Sequence, residues 1–205
     1  MFLGAIKSQK KMPRDKVAIL ASGASRLAYD LSAMYSSAYA VDNCVPAVLL
    51  VKEILSGKKI ELLMNFPSDS YALKQQRIKI PAGQVKRRKN IQVIVADIHR
   101  LPFESDSLDT VITQYVLDII PNHTLLFLEI HRVLKKGGVW INLGIPGFKN
   151  MADQNNHLNL SNILSEAGFK LQKKKLMLLP HLELYEFSRL YTTMTRATLF
   201  FVAEK

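Results

Sequence analysis

The sequence predicts an α/β chain: a mostly parallel, doubly wound seven-stranded sheet with helices on both faces. Three observations carry this expectation. Short apolar runs such as "VAIL", "IQVIV" and "VWINLG" alternate with segments whose apolar residues recur at helical spacing. Glycine or proline stands near the predicted helix ends. Polar residues (Asp42, Asp97, Gln114, Asp118 and Asn142–Gly144) fall at or just past the predicted strand ends, where ligands sit in such sheets.

In chain order, Val17–Ala21 reads as a buried strand. Leu27, Ala28, Leu31, Met34 and Tyr35 then mark an amphipathic helix. Tyr39–Val41 is the second strand, ending at Asp42. "VPAVLLVKEIL" is apolar on nearly every side and reads as a well-buried helix with Pro46 in its first turn. Residues 57–90 carry turn formers and charge and read as an insertion at the sheet's edge. The alternation resumes with "IQVIVAD", ending at Asp97, and "LDTVITQYVL", ending near Gln114. "HTLLFLEIHRVLKK" is a helix closed by Gly137-Gly138. "VWINLG" is a strand, "LNLSNILSEAGF" a helix stopped by Gly168, and "KLQKKKLMLL" and "ATLFFVAEK" complete the sheet. The domain therefore spans 17–205, with 1–16 as an N-terminal extension.

Composition narrows the function classes. Hydrophobic residues make up 48% and charged residues 22% of the 205, values of a globular chain with a real core. No apolar run reaches the ~18–20 residues of a membrane span, and "MFLGAIKSQKK" lacks the order of a secretory signal. The lone Cys44 excludes an internal disulfide and argues against a cysteine zinc site, which fits a reducing, cytoplasmic setting. The five histidines show no metal-ligand spacing. Net charge is +11, gathered in Lys7–Lys16, in "KRRK" (Lys86–Lys89) and in "KKK" (Lys173–Lys175). Such an excess attracts nucleic acid or anionic substrates, but no aromatic residues interleave it as a base-stacking stripe needs.

The turn "ASGAS" (Ala21–Ser25) has the small side chains that let backbone N–H groups approach a ligand, yet only Gly23 is glycine. A cofactor loop and an ordinary strand-to-helix turn both remain open. Asp42 lies 19 residues after Gly23, near the ~20 at which an acid meets ribose hydroxyls in dinucleotide folds. The alternative is an N-cap for the helix that begins at Asn43–Val45. Asp106 and Asp109 bracket a turn and read as structural. Cys44 reads as a small core residue.

"VADIHRLPFESDSLDTVITQYVLDII" resembles the block after the third strand of class I S-adenosylmethionine-dependent methyltransferases, and "RVLKKGGVWINLG" resembles their "LKPGG" element. Within that class the stretch "VITQYVLDII" together with "WINLG", the "SRLA" at Ser25–Ala28, "IKIPAGQV", "ILSEAGFKLQ" and the closing strand resemble the carnosine N-methyltransferase family. The resemblance runs from about Val17 to the end. It implies S-adenosylmethionine as cofactor, held by Ala21, Ser22, Gly23 and Arg26, by Asp42 and Asn43, by Asp97 and Ile98 beside adenine, and by Gln114 at the methionine end. It implies Asp118 as the acid that orients the acceptor, with Asn142, Phe148 and Tyr191 lining the acceptor site. A helix N-cap is the other reading of Asp118. Where the family's turn has three glycines, this chain has Ala21, Gly23 and Ser25, and Phe148 replaces a tyrosine.

The expected activity is methyl transfer to nitrogen in a small molecule or peptide carrying an imidazole or amine. A homo-oligomer or partner subunit would complete a site whose N-terminal cover is short. A weakly active or inactive methyltransferase-like partner subunit, and an RNA methyltransferase, are the alternatives, the latter motivated by the charge.

Overall fold

A computed structural model describes residue 6 and residues 14–67, 73–80, 88–145, 159–183 and 192–205. Its elements run β1 (Lys16–Leu20), α1 (Arg26–Leu31), β2 (Ser37–Asp42), α2 (Val45–Leu55), β3 (Ile60–Pro67), β4 (Leu73–Ile80), β5 (Ile91–Val95), β6 (Leu108–Gln114), α3 (His123–Val133), β7 (Leu134–Gly144), α4 (Leu160–Glu166), β8 (Lys170–Glu183) and β9 (Thr192–Glu204). Seven strands form the main sheet in the order β5-β2-β1-β6-β7-β9-β8. The first five are parallel, and β9 is antiparallel to both neighbours. The order reverses at β1, so β1 and β6 border the switch point where such sheets bind ligands. Strands β3 and β4 pair antiparallel as a separate two-stranded sheet within residues 57–90.

Both faces of the sheet are buried, which explains the near-continuous apolar strands. Successive side chains point to opposite faces: Ala18 and Leu20 of β1 enter one core with Val111, Trp140 and Phe201, while Val17 and Ile19 enter the other with Ile112, Ile141 and Phe200. Helices α3 and α4 cover the first through Leu126, Ile130, Leu160 and Leu164. Helix α1 covers the second through Ala28 and Leu31, beside Ile6. Trp140 anchors the first core, its ring centroid 5.0 Å from those of Phe127 and Phe201. Among the described residues no helix is long and apolar enough to cross a membrane.

Three local expectations need correction. Helix α2 buries only Val48 and Val51 and leaves Val45 and Leu49 about half exposed; its apolar composition is not full burial, because it lies on one side of the sheet only. Helix α3 ends at Val133, not at the glycine pair. Leu134 is already extended and pairs with Leu108, and Gly137 (φ +76) instead serves the register shift in β7 beside the chain end. The last strands are longer than the apolar runs suggest: of β9, only Leu199–Glu204 pairs with β7, and the rest continues with β8. Gly168 (φ +85) closes α4 as expected, with Phe169 N–H donating to the Leu164 carbonyl. An added Cβ there would meet His131 Nε2 at 2.8 Å.

Candidate functional site at the carboxyl ends of the parallel strands

The five parallel strands end together at Val95, Asp42, Leu20, Gln114 and Gly144. The residues that follow form three linked clusters along this edge.

The first is the turn after β1. Ala21, Gly23 and Ser25 all have left-handed backbones, with φ of +48, +49 and +56. Only glycine adopts that region freely; for other residues it costs about 1–2 kcal/mol. Alanine and serine thus hold a glycine-type conformation, and the surroundings enforce it. Ser22 N–H donates to the Val41 carbonyl at 3.0 Å, Ser25 N–H to the Ser22 carbonyl at 2.8 Å, and the Ser22 and Ser25 hydroxyls meet at 3.0 Å. Gly23 N–H donates to Asp42 Oδ2 at 2.8 Å, and Cys44 N–H to Asp42 Oδ1 at 2.9 Å. The buried Asp42 is therefore the clasp of the loop. It does not cap α2: the N-cap residue is Cys44, without a side-chain cap bond, and Cys44 is exposed there instead of packing in the core. Each carboxylate oxygen keeps a second lone pair. Space beyond Gly23 is open, with nothing within 4 Å of an added Cβ.

The second cluster follows β5. Ala96 N–H donates to the Asp42 carbonyl at 3.1 Å, which joins this segment to the clasp. Asp97 is mostly exposed, and its Oδ1 accepts His99 N–H at 2.9 Å with His99 Nδ1 at the same distance. Those bonds, the backbone one first, hold its carboxyl below the usual range. His99 Nε2 reaches the Asn122 carbonyl at 3.1 Å, and Asn122 caps α3 by accepting Leu125 N–H. Ile98 packs against the first core. His99 therefore bridges Asp97 to α3.

The third follows β6. Gln114 is half-buried at the strand end. Tyr115 also has a left-handed backbone (φ +52), and its N–H donates to the Leu143 carbonyl at 2.8 Å. An added Cβ on Gly144 would come 3.3 Å from Tyr115 N; the close approach of these two strand ends favours a glycine. No local pattern signalled Tyr115. The turn Val116–Ile120 is anchored by buried Val116, Leu117 and Ile120, and His123 Nε2 lies 2.6 Å from the Leu117 carbonyl. Asp118 sits within it. Its Oδ1 is inaccessible to solvent and has no hydrogen-bond partner. The cap of α3 is Asn122, so Asp118 is free of that role.

Two expectations are corrected by this geometry. Asn142 is 1% exposed; its Oδ1 accepts the Thr113 hydroxyl at 2.8 Å and its Nδ2 donates to the Leu199 carbonyl. With Trp140 Nε1–H on Thr113 Oγ1, it completes a core network and does not face an acceptor. The Arg26 side chain is 82% exposed and paired with Asp30 one helical turn on, so the i,i+4 ion pair draws it away from the loop. Asn43 is exposed beside the clasp. Phe148 and Tyr191 lie outside the described residues.

Comparison with known proteins agrees with this architecture. A family model described as a methyltransferase domain matches residues 56–142. Demethylmenaquinone methyltransferase of Staphylococcus carnosus is 32% identical over 80 residues, covering 37% of this chain and 33% of its own length. Rat carnosine N-methyltransferase is 28% identical over 92 residues, covering 42% and 23%. The chain thus spans a third or less of these curated relatives. A solved complex of the Haloferax volcanii Trm112 methyltransferase activator with a methyltransferase superposes at TM-score 0.65 and 15% identity, covering 98% of this chain and 88% of the other. An S-adenosylmethionine-dependent methyltransferase from Aquifex aeolicus does so at 0.61 and 13%, covering 98% and 87%. The sheet order, the loop after β1 and these likenesses agree, and the chain has the class I S-adenosylmethionine-dependent methyltransferase fold.

Proposed function

We propose that this chain is an S-adenosylmethionine-dependent methyltransferase that alkylates nitrogen in a small molecule or peptide bearing an imidazole or amine. The observation that carries the reading is the Asp118 oxygen, desolvated and unpartnered at the carboxyl end of the central strand. A buried polar atom without a partner costs about 1–3 kcal/mol. Such a cost persists where a ligand supplies the missing bond.

Three observations support the fit of the cofactor. The loop after β1 keeps small side chains and left-handed backbones at Ala21, Gly23 and Ser25; the space beyond Gly23 is open; Asp42 retains two lone pairs able to accept vicinal hydroxyls. Asp97 and Ile98 would flank the adenine, and Gln114 the methionine end. When bound, S-adenosylmethionine supplies an electrophilic sulfonium methyl, so the protein's task is alignment and exclusion of water. Alignment of this kind contributes on the order of 7–11 kcal/mol to lowering a barrier. Asp118 Oδ1 accepts the acceptor's N–H and turns its other nitrogen lone pair toward the cofactor. As that ring becomes cationic, the same oxygen takes the N–H proton.

The test is calorimetry with S-adenosylmethionine and its demethylated product, followed by label transfer to imidazole and amine acceptors. Binding with transfer to nitrogen is the expected result; no binding at millimolar ligand would sink the reading. A second reading, a partner subunit that binds without catalysing, is favoured by the two strained non-glycine residues in the loop and by the activator-bound Haloferax structure. It requires cofactor binding with no transfer to any acceptor.

A further inference from the structure

Arg88 and Lys89, the described residues of the "KRRK" cluster and unused by the site above, line one side of an open cavity at the opposite end of the sheet. The cavity has a volume of about 460 Å³ and lies between the last turn of α2 and the amino end of β5, within the ~300–1,000 Å³ usual for small-molecule sites. Val95 marks the cofactor end of β5 and Ile91 borders the cavity. Val93 lines the cavity too, so the cavity lies two to four residue steps along the strand from Val95, roughly 7–13 Å.

Among the described residues its polar lining is Lys52, Ser56, Arg88, Lys89 and Gln92; the rest is aliphatic, and no acid contributes. None of the three cations has an ion-pair partner among the described residues. The nearest acid in sequence, Glu53, is taken by Lys58 at 2.7 Å. Arg88 is held by packing: its guanidinium carbon lies 5.3 Å over the Tyr29 ring, and its Nε is buried without an acceptor. The segment is fixed as well, because Asn90 Nδ2 donates to the carbonyls of Ser32 and Tyr35 at 2.8 and 2.9 Å. Three converging cations repel one another unless an anion joins them. Two lysines and a guanidinium with spare donors are the groups that bind phosphate.

We infer that this cavity is a second ligand site, for a phosphate group borne on an apolar or flat moiety that rests on the aliphatic floor. The phosphate meets Arg88, Lys52 and Lys89, and the Ser56 hydroxyl and Gln92 amide supply neutral bonds. The site is independent of the methyl-transfer reading and would stand if that reading fell.

The test titrates the full chain by calorimetry with inorganic phosphate, uridine monophosphate and a short single-stranded RNA. Uridine is chosen because it does not compete for an adenine pocket. Uridine monophosphate is expected to bind more tightly than inorganic phosphate. Replacing Lys52 and Lys89 by glutamine, or Arg88 by glutamine, is expected to weaken it by about tenfold or more, the worth of one charge-assisted bond. The urea midpoint of the Lys52→Gln/Lys89→Gln variant should be unchanged or slightly raised, since neither lysine has a partner to lose and their mutual repulsion is relieved. RNA that displaces the nucleotide and weakens in the same variants identifies the phosphate source as a polymer; nucleotide binding that RNA does not displace identifies a small molecule. No binding of any probe, or equal affinity in wild type and all variants, overturns the inference.

Discussion

Gly23, in the turn after β1, and Asp42, the last residue of β2 and 19 positions on, are joined by a 2.8 Å hydrogen bond from the Gly23 N–H to Oδ2. The acid whose spacing suggests ribose binding therefore first holds the loop against which the cofactor would lie. The Asp42→Ala variant removes the acceptor of two N–H groups, each worth about 1.5–3 kcal/mol when the acceptor is charged. Urea unfolding should show a loss of about 3 kcal/mol. Asp42→Asn keeps one acceptor oxygen and should lose about half as much, with a larger loss of S-adenosylmethionine affinity than of stability.

The left-handed backbones of Ala21 and Ser25 make the loop's strain measurable. Glycine at position 21 relieves about 1–2 kcal/mol of strain, offset by about 0.5–1 kcal/mol of added chain entropy in the unfolded state. Ala21→Gly is thus expected to stabilise by up to about 1 kcal/mol, read from the urea midpoint. Ala21→Val, β-branched at positive φ, should destabilise by about 2 kcal/mol or more. If valine is tolerated as well as alanine, the loop is not held in the left-handed region. Ser25→Gly is a poorer probe because it also removes the Ser22–Ser25 hydroxyl contact.

The main sheet was legible because its strands are buried on both faces, so apolar runs such as "VAIL" and "VWINLG" mark them regardless of facing. The placement of Asp42, Asp97 and Asp118 was legible for a related reason: a parallel sheet puts the ends of its strands and the turns after them at one edge. What local pattern could not convey is pairing. Asn142 looks like a site residue from its position, and only the tertiary bonds to Thr113 and Leu199 show it spent in the core. The end of α3 was misplaced because Gly137-Gly138 resembles a helix stop, whereas the positive φ at Gly137 serves a register shift in β7. The strain at Tyr115 leaves no sequence signal, whereas Ala21 and Ser25 stand where the resembled family's turn has glycines, which marks the left-handed positions.

Asp118 separates function from stability. Its Oδ1 is desolvated and unpaired, so Asp118→Ala removes an uncompensated polar atom, and the folded state should be unchanged or more stable by about 1 kcal/mol. Turnover of a nitrogen acceptor should fall by about a hundredfold or more, the range of a positioned acid–base group. The two readouts, urea unfolding and initial rate, move in opposite directions if Asp118 serves an acceptor. A purely structural Asp118 would lower both.

The turn that carries Asp118 is tied to α3 through His123, whose Nε2–H donates to the Leu117 carbonyl at 2.6 Å. Burial depresses the His123 pKa, with the Leu117 bond opposing it, and burial likewise depresses His131. In the unfolded chain both titrate near 6.5. Below about pH 6.5 the unfolded state takes up protons that the folded state refuses, so stability falls as pH falls. The contribution is complete above that value and is lost progressively toward the folded pKa, at a limiting slope of about 1.4 kcal/mol per pH unit for each group. Unfolding free energies measured from about pH 7.5 down to about pH 5.5 should therefore decline in wild type, and the decline should be shallower in His123→Asn. That variant also frees the Leu117 carbonyl, so its rate at neutral pH should drop more than its stability does. A wild-type curve flat across this range would contradict the assignment of His123 and His131 as neutral in the folded state.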